Sequence, residues 1–370
     1  MVLYSLFVIF CILGIRVFDV NRQKQGKLFF LFIAWLFLVL IVGFQNGMGG
    51  DNLQYEEAYD TYLPLNQLDF TSLLIGGRYQ PLWYIFIATL KMFNDSFTFF
   101  HIVHAIIINT AVVLFFKRYT KFLFSAILLY FVTLTYFYFN LEIQRESLAI
   151  ACMLFSFPLL EKKKFILYYI ICFIAFFIHV SSIFLWFIPI VLFLFDKCKT
   201  TKAQVRLSLV LSIVLCLFFS SFAGLFQGSG DVAGELMNQA DTYSSGQQNS
   251  LHQLIIGLFK IIPIAILLYV RKKEGIGNDI FVKFTILLII IFIANAYIRG
   301  LYRLGNYITI PYYVFIVDSL MNKQIKKHYK GIGIIIIILI MIPIIWQHLA
   351  PLDQGRLMYQ MYFPYRSIFD

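Results

Sequence analysis

Long apolar runs separated by short basic loops constrain this chain more than any other sequence feature. Six short loops hold twenty of the thirty Lys and Arg residues, at 22–27, 117–121, 161–164, 196–206, 271–273 and 322–330. Basic residues resist translocation, so such loops mark the cytoplasmic side of a membrane protein. The stretches between them are acidic or neutral. This alternation predicts a chain that crosses a membrane repeatedly, and it argues against a nucleic-acid partner because most of the positive charge lies in short connectors.

The apolar runs are long enough to be membrane-spanning helices, which need about 20 residues each. Only 13% of the residues are charged, against about 25% in soluble proteins. We therefore expect an all-α, polytopic membrane protein, with residues 1–370 forming a single transmembrane domain and both termini outside. The sequence predicts twelve transmembrane helices, near 3–20, 28–45, 98–116, 122–139, 144–160, 165–178, 181–196, 207–224, 251–270, 280–297, 304–320 and 331–346.

The run at 81–93 is shorter than these spans. If it crossed the membrane, the basic loop at 117–121 would lie outside. At about 13 residues, the run is predicted to be a re-entrant or interfacial helix.

Three outer segments differ from the inner connectors. The loop at 46–80 is long, acidic and rich in Tyr, the loop at 225–250 is polar and rich in Gly and Ser, and the tail at 347–370 is aromatic. The inner loops are mostly minimal connectors, so function is expected to face the exterior.

Several basic residues break the inner-loop pattern and lie near the predicted outer face. Arg299 and Arg303 are four residues apart, and two neighbouring guanidinium groups can bind a diphosphate bidentately. The alternative is a pair of surface arginines that meet lipid headgroups or carboxylates. Lys260, within a span, is interpreted as a phosphate contact or as half of a structural salt bridge. The residues of this group are Arg78, Arg145, Lys260, Arg299, Arg303, Arg356 and Arg366.

The stretch "FNLEIQRESLAIACMLFSF" (139–157) places three charges at the outer start of a predicted span. Arg145 is three residues and Glu146 four residues after Glu142, so each can meet Glu142 on one helix face. One interpretation is an ion pair that closes a tight turn. The other is that a glutamate orients Arg145 toward a substrate diphosphate in a water-filled mouth.

Histidines offer two further hypotheses. His179 stands between two predicted helices, where it can act as a base or cap a turn. His101 and His104 are three residues apart, but no third ligand has recognisable metal spacing. We expect no metal and no cofactor.

Five short motifs, in order along residues 25–320, resemble those of the EpsG-like family of membrane proteins, which is similar to the Wzy polysaccharide polymerases. The matching residues are Gly50, Asp51 and Tyr55 in "GMGGDNLQYEEAY", Gln80 in "YQPLWYIFIATL", Gln144, Arg145 and Glu146 in "IQRESLAIACMLFSF", His179, Ser181 and Ser182 in "FIHVSSIFLWFIP", and Arg303 and Tyr307 in "YRLGNYITI". Gln80 stands where the family usually has an acid. Gln144 and Arg145 are in swapped order, with Glu146 where Gln is usual.

The resemblance implies a GT-C-like glycosyltransferase of the bacterial inner membrane, with its active site facing the periplasm or exterior. The implied reaction joins undecaprenyl-diphosphate-linked oligosaccharide repeat units, and a chain-length regulator and a flippase are possible partners. On this view the base is His179, followed by Asp51 or Glu142. The diphosphate would be bound by Arg145, Arg299, Arg303, Lys260 and Arg78, and the glycan by Tyr55, Tyr302 and Tyr307.

Three alternatives involve similar lipid-linked or polysaccharide substrates. An O-antigen ligase-like enzyme would use the same donor with a different acceptor. A flippase would need polar groups along the whole path through the bilayer, whereas the unusual charges here gather on one side. A polysaccharide acyltransferase would need a cytoplasmic acyl-donor site, for which the inner loops are too short and too basic.

Overall fold

Helices form at every predicted span in the computed structural model, which describes residues 2–69, 80–226, 250–277, 279–295, 301–321, 330–350 and 357–370. Within these ranges the extended structure is limited to an isolated bridge between Gln45 and Ser367, so the all-α prediction is confirmed. The helices are α1 (Val2–Gly14), α2 (Lys27–Gly43), α3 (Asn52–Thr61), α4 (Pro81–Lys91), α5 (Phe97–Tyr119), α6 (Leu123–Val132), α7 (Gln144–Glu161), α8 (Phe165–Ile178), α9 (Phe184–Lys197), α10 (Thr201–Phe226), α11 (Ser250–Lys273), α12 (Ile280–Ala294), α13 (Tyr302–Met321) and α14 (Lys330–His348). Arg78, Arg299, Arg356 and most of the predicted outer loop at 225–250 lie outside the described residues.

Five of the described helices are long and apolar enough to cross a membrane, and a bent pair can form a sixth span. The chain is therefore a polytopic membrane protein. The remaining crossings of the predicted twelve stay predictions, as does the GT-C-like architecture. The five are Val2–Val20, Phe97–Tyr119, Val180–Lys197, Leu254–Lys273 and Gly331–His348, and the bent pair is Leu123–Val132 with Thr135–Glu142.

The segment at 122–139 differs from the continuous helix that the sequence predicts. Its two halves meet at an angle of 76°, because Leu134 adopts a left-handed conformation (φ 60°). Side chains bond the backbone on both sides of the break, since Thr133 Oγ1 donates to the Leu129 carbonyl at 2.7 Å and Asn140 Nδ2 to the Tyr136 carbonyl at 2.7 Å. Such bonds make a broken helix tolerable at membrane depth.

Helix α4 corresponds to the predicted re-entrant or interfacial segment. Its eleven residues span about 16 Å, roughly half the hydrocarbon thickness. Both of its ends contact α3. Near its start the Trp83 ring lies 5.9 Å from the Tyr55 ring, and at its end Lys91 Nζ donates to the Tyr59 and Tyr62 carbonyls at 2.8 Å each. Helix α4 therefore lies along α3 and is too short to cross the bilayer.

The chain divides into two units, and the first comprises Met1–Phe187 and Ile344–Asp370. In this unit α5 packs between α2 and α7, and α7 packs against α8. Buried aromatic rings join α3 and α4 to α5, with Tyr59, Trp83 and Phe100 in one apolar cluster.

The second unit comprises Ile188–Pro343. Its central helix, α12, is buried along most of its length and packs against α10, α11 and α13. At one end of the unit the guanidinium of Arg271 donates to Asp279 Oδ2 at 2.7 Å and to the Gly277 carbonyl at 3.1 Å, while Lys283 pairs with Asp196.

Candidate functional site

A glycine-rich loop connects α2 to α3 in the first unit. Gly47 and Gly49 have positive φ values of 58° and 86°, a conformation that favours glycine. The loop directs two backbone N–H groups at one carboxylate, since Gly50 N donates to Glu142 Oε1 at 2.8 Å and Asp51 N to Glu142 Oε2 at 3.0 Å. Two segments more than 90 residues apart in sequence are thereby joined.

The loop also approaches its neighbours too closely for larger side chains. A Cβ atom added to Gly49 would lie 2.9 Å from Leu141 Cβ, and one added to Gly50 would lie 2.8 Å from Met361 Cε. The Met361 methyl ends a flexible side chain and can move aside, whereas Leu141 Cβ cannot move without its backbone, so Gly49 is the position that requires glycine for both steric and conformational reasons.

Glu142 has a third partner in the C-terminal tail. The phenol of Tyr362 hydrogen-bonds to Glu142, and burial together with the nearby Glu142 charge raises the pKa of Tyr362 well above its ordinary value. The phenol therefore stays protonated and donates a hydrogen bond to the carboxylate. Hydrogen bonds to an ionised acceptor are stronger than neutral ones, so Glu142 holds the loop and the tail together.

The tail pairs with the same loop through its backbone. This pairing was missed in the sequence analysis, which predicted only an aromatic outer tail, because no local pattern marks it. The backbone hydrogen bonds run from Asn46 N to Arg366 O (3.1 Å), from Gly49 N to Met361 O (2.9 Å) and from Ile368 N to Phe44 O (3.0 Å).

A buried polar cluster lies directly beside the loop. It consists of Gln45, Asn52, His101, His104, Gln144 and Ser147, all buried. The ring nitrogens of His101 contact Gln45 Nε2 at 2.8 Å and Asn52 Oδ1 at 2.7 Å. Gln144 Nε2 also donates to Asn52 Oδ1 at 2.8 Å, and His104 Nε2 donates to the Gln144 carbonyl at 3.0 Å. This cluster ties α3, α5 and α7 together.

The histidine pair in an apolar helix was the sequence signal for this cluster. His101 and His104 were considered only as a metal pair, yet both nitrogens of His101 contact side-chain amides. Among the residues that the structure describes, no group of three or more His, Cys, Asp or Glu side chains is arranged to hold a metal ion.

Four of the predicted site residues, Asp51, Tyr55, Glu142 and Arg145, lie on or beside this loop and the start of α7. Asp51 is exposed at the start of α3, and Arg145 is the second residue of α7 and is half-buried. Glu142, two residues before α7, bonds the backbone of Asp51. Tyr55 lies one turn further along α3, with its ring against Trp83.

His179 has the geometry of a helix cap. It is buried at the end of α8, and its Nδ1 accepts from Ser181 N at 3.3 Å and lies 2.7 Å from Ser181 Oγ. This is the capping alternative of the sequence analysis. With Nδ1 accepting, the neutral ring carries its proton on Nε2.

The remaining described candidates belong to the second unit. Arg303 is half-buried in the first turn of α13, and Tyr302 before it is exposed. Tyr307 is fully buried, so its ring offers no exposed face for stacking on a sugar. Lys260 Nζ lies 5.6 Å from the centroid of the Phe292 ring, a cation–π contact.

Comparison with known proteins gives one result. No curated protein and no solved structure matches the chain significantly. Residues 28–367 match the EpsG family. The matched region runs from α2 into the C-terminal tail and includes the glycine loop, the buried polar cluster and Glu142. Since the match covers far more than half of the sequence, the chain belongs to the EpsG family.

Proposed function

We propose that this protein is a polysaccharide polymerase. It joins oligosaccharide repeat units carried on undecaprenyl diphosphate, by glycosyl transfer at the outer face of the bacterial inner membrane. Membership of the EpsG family supports the broader assignment to membrane proteins of polysaccharide biosynthesis. The membrane-spanning helices agree with a substrate that is itself held in the bilayer.

The link between Glu142 and the glycine loop is the observation on which the proposal rests. Gly50 and Asp51 both donate backbone N–H groups to Glu142. Because Glu142 lies two residues before α7, the link brings the backbone of Asp51 near the start of the helix that carries Arg145. A carboxylate and a guanidinium, two groups of opposite charge, are thus carried by two segments that the Glu142 link joins.

The reaction needs both groups. An acceptor hydroxyl attacks the anomeric carbon of the donor, a new C–O bond forms, and the bond to the diphosphate breaks. The electron pair leaves with the diphosphate, and the hydroxyl proton passes to a base. The positive N-terminal end of α7 and the guanidinium of Arg145 can stabilise the negative charge that develops on the departing phosphate.

Asp51 is the base that the geometry favours. The carboxylate of Glu142 already accepts hydrogen bonds from the loop and from Tyr362. The Nδ1 atom of His179 is occupied by Ser181. Asp51 is exposed at the start of α3, where its carboxylate can meet an acceptor hydroxyl. Arg303 and Lys260, with Arg78 and Arg299, remain proposed as further cations for the diphosphate, and Tyr55 and Tyr302 as glycan contacts.

Reconstitution in liposomes with one synthetic repeat unit on undecaprenyl diphosphate tests the proposal. A ladder of longer lipid-linked glycans is expected. Translocation of the unit without elongation would instead identify a flippase, and transfer only to a different acceptor would identify a ligase. Either result would overturn the polymerase assignment.

A further inference from the structure

His101 is a titratable, polar side chain in an apolar, membrane-spanning helix. It lies in the first turns of α5 and is buried. A polar group in such a place is costly unless its hydrogen bonds are made. Here both ring nitrogens are used, one toward Gln45 and the other toward Asn52.

The direction of these hydrogen bonds follows from the backbone. Gln45 Oε1 accepts from Met48 N at 2.9 Å, so the amide Nε2 of Gln45 faces His101 and donates to its Nδ1. The neutral ring then carries its proton on Nε2 and donates to Asn52 Oδ1. His101 thus accepts a hydrogen bond at Nδ1 and donates one at Nε2. An Asn or Gln side chain at this position can replace only one of these two hydrogen bonds.

The two partners of His101 bracket the glycine loop. Gln45 comes just before the loop and Asn52 just after it, and the residues between them include Gly47, Gly49 and Gly50. A segment with three glycines has many accessible conformations. Fixing both of its ends to α5 restricts where its backbone N–H groups and the Asp51 carboxylate can lie.

We propose that His101 is a positioning residue for the candidate site. It fixes both ends of the segment Gln45–Asn52, and through Asn52 it sets the place of the Asp51 carboxylate relative to Glu142 and the first turn of α7. Its role in turnover rests on the proposed function, whereas its role in ordering the loop does not.

Two amide substitutions separate the two ends. In His101→Asn the shorter side chain reaches the position of Nδ1 and can still accept from Gln45, but it cannot reach Asn52. In His101→Gln the longer side chain places a donor near the position of Nε2 and keeps the bond to Asn52. Asn52 adjoins Asp51, so we expect His101→Asn to lower kcat for elongation by about 10- to 100-fold, because small displacements of a reacting group have effects of this size. His101→Gln should recover much of that loss, and KM should change little in either variant.

The matched control is Thr110→Val in the same helix. Thr110 Oγ1 accepts from Trp35 Nε1 at 3.0 Å, so this variant also removes a hydrogen bond between α5 and a neighbouring helix. Thr110 lies more than two turns from His101, and its loss should lower thermal stability without changing kcat.

Hydrogen exchange gives a readout that does not depend on catalysis. In His101→Asn, the amides of residues 45–52 should exchange about fivefold faster, as expected for the loss of one buried hydrogen bond, while those in the middle of α7 stay protected. Unchanged exchange in the loop would overturn the proposal, whether or not the wild-type protein elongates glycans. If the wild type elongates and a folded His101→Asn protein keeps its full kcat, the positioning role fails while the polymerase assignment stands. If the wild type does not elongate, the polymerase assignment fails. The exchange result then decides by itself whether His101 orders the loop.

Discussion

Two charged side chains near helix ends, Glu142 in the first unit and Arg271 in the second, have different sets of partners. Arg271 donates to the Gly277 carbonyl and to Asp279, both within eight residues, and it donates one further hydrogen bond to Ser319 Oγ at 3.3 Å in α13. Its ion pair and one of its hydrogen bonds therefore close the connector between two consecutive helices.

Glu142 instead bonds residues that are distant in sequence. Two of its donors are more than 90 residues away, in the glycine loop, and the third is in the C-terminal tail. A charged side chain that bonds mainly its own connector stabilises a turn. A charged side chain that bonds two distant segments of the chain holds them together at one place, where a site can form. The following predictions test this distinction, from the largest expected effect to the smallest.

Asp51→Asn should have the largest effect. The amide cannot accept the proton of the acceptor hydroxyl, and loss of a general base typically costs about 100- to 10,000-fold in rate. The measurement is the initial rate of glycan elongation in liposomes. Asp60→Asn, which removes another exposed carboxylate of α3, serves as the control and should elongate at the wild-type rate. Equal rates for Asp51→Asn and Asp60→Asn would exclude Asp51 as the base.

Glu142→Gln should lower both elongation and stability. One carboxylate oxygen becomes an NH₂ group, which cannot accept from the loop, and the charge that strengthens the remaining hydrogen bonds is lost. We expect a loss of about 2 kcal/mol of stability, seen as a lower melting temperature in detergent, together with a marked fall in elongation.

The control for this change lies at the other end of α7. Glu161 accepts a hydrogen bond from Tyr119 at 3.1 Å, but its environment is exposed. Glu161→Gln should therefore change the melting temperature little and elongation not at all. If the two glutamine variants behaved alike, Glu142 would have no special role.

Gly49→Ala should be more destabilising than Gly26→Ala. Both glycines have positive φ, at 86° and 77°, but a Cβ at Gly26 meets nothing within 4 Å, whereas one at Gly49 meets Leu141. The conformational strain alone costs about 1 kcal/mol, so Gly26→Ala should show that cost and Gly49→Ala should exceed it. Thermal melting of the purified variants measures the difference, and equal melting temperatures would contradict the crowding at Gly49.

Arg271→Gln should leave catalysis unchanged. The neutral side chain loses the ion pair with Asp279, and a reduction of about 1–3 kcal/mol in stability is expected. Elongation per folded molecule should equal that of the wild type. A specific loss of elongation at full stability would show that Arg271 contributes to function and would remove the contrast with Glu142.

Much of the fold could be predicted from the sequence. The twelve apolar runs all become helices, and the short run at 81–93 becomes a short helix. The break near Leu134 was not predicted. Thr133 and Asn140 bond backbone carbonyls on either side of it, but their presence in the sequence does not show that the helix breaks there.

The sequence predicted several residues of the candidate site but not the contacts between them. Asp51, Glu142 and Arg145 were singled out by charge and by the family resemblance. The bonds from Glu142 to the loop backbone and to Tyr362 were not foreseen, whereas its pairing with Arg145 stays a prediction. His101 and the tail were not assigned to the site at all.

The sequence by itself determined the all-helical, membrane-embedded class and the family, because apolar length, basic loops and short motifs are local properties of the chain. A backbone in lipid must satisfy its own hydrogen bonds, so the long apolar runs had to be helices. Only the tertiary structure decided that a glycine loop, the start of α7 and the C-terminal tail meet at Glu142. Those contacts join segments far apart in the chain, and their partners are backbone N–H groups, which every non-proline residue carries and which no sequence pattern distinguishes.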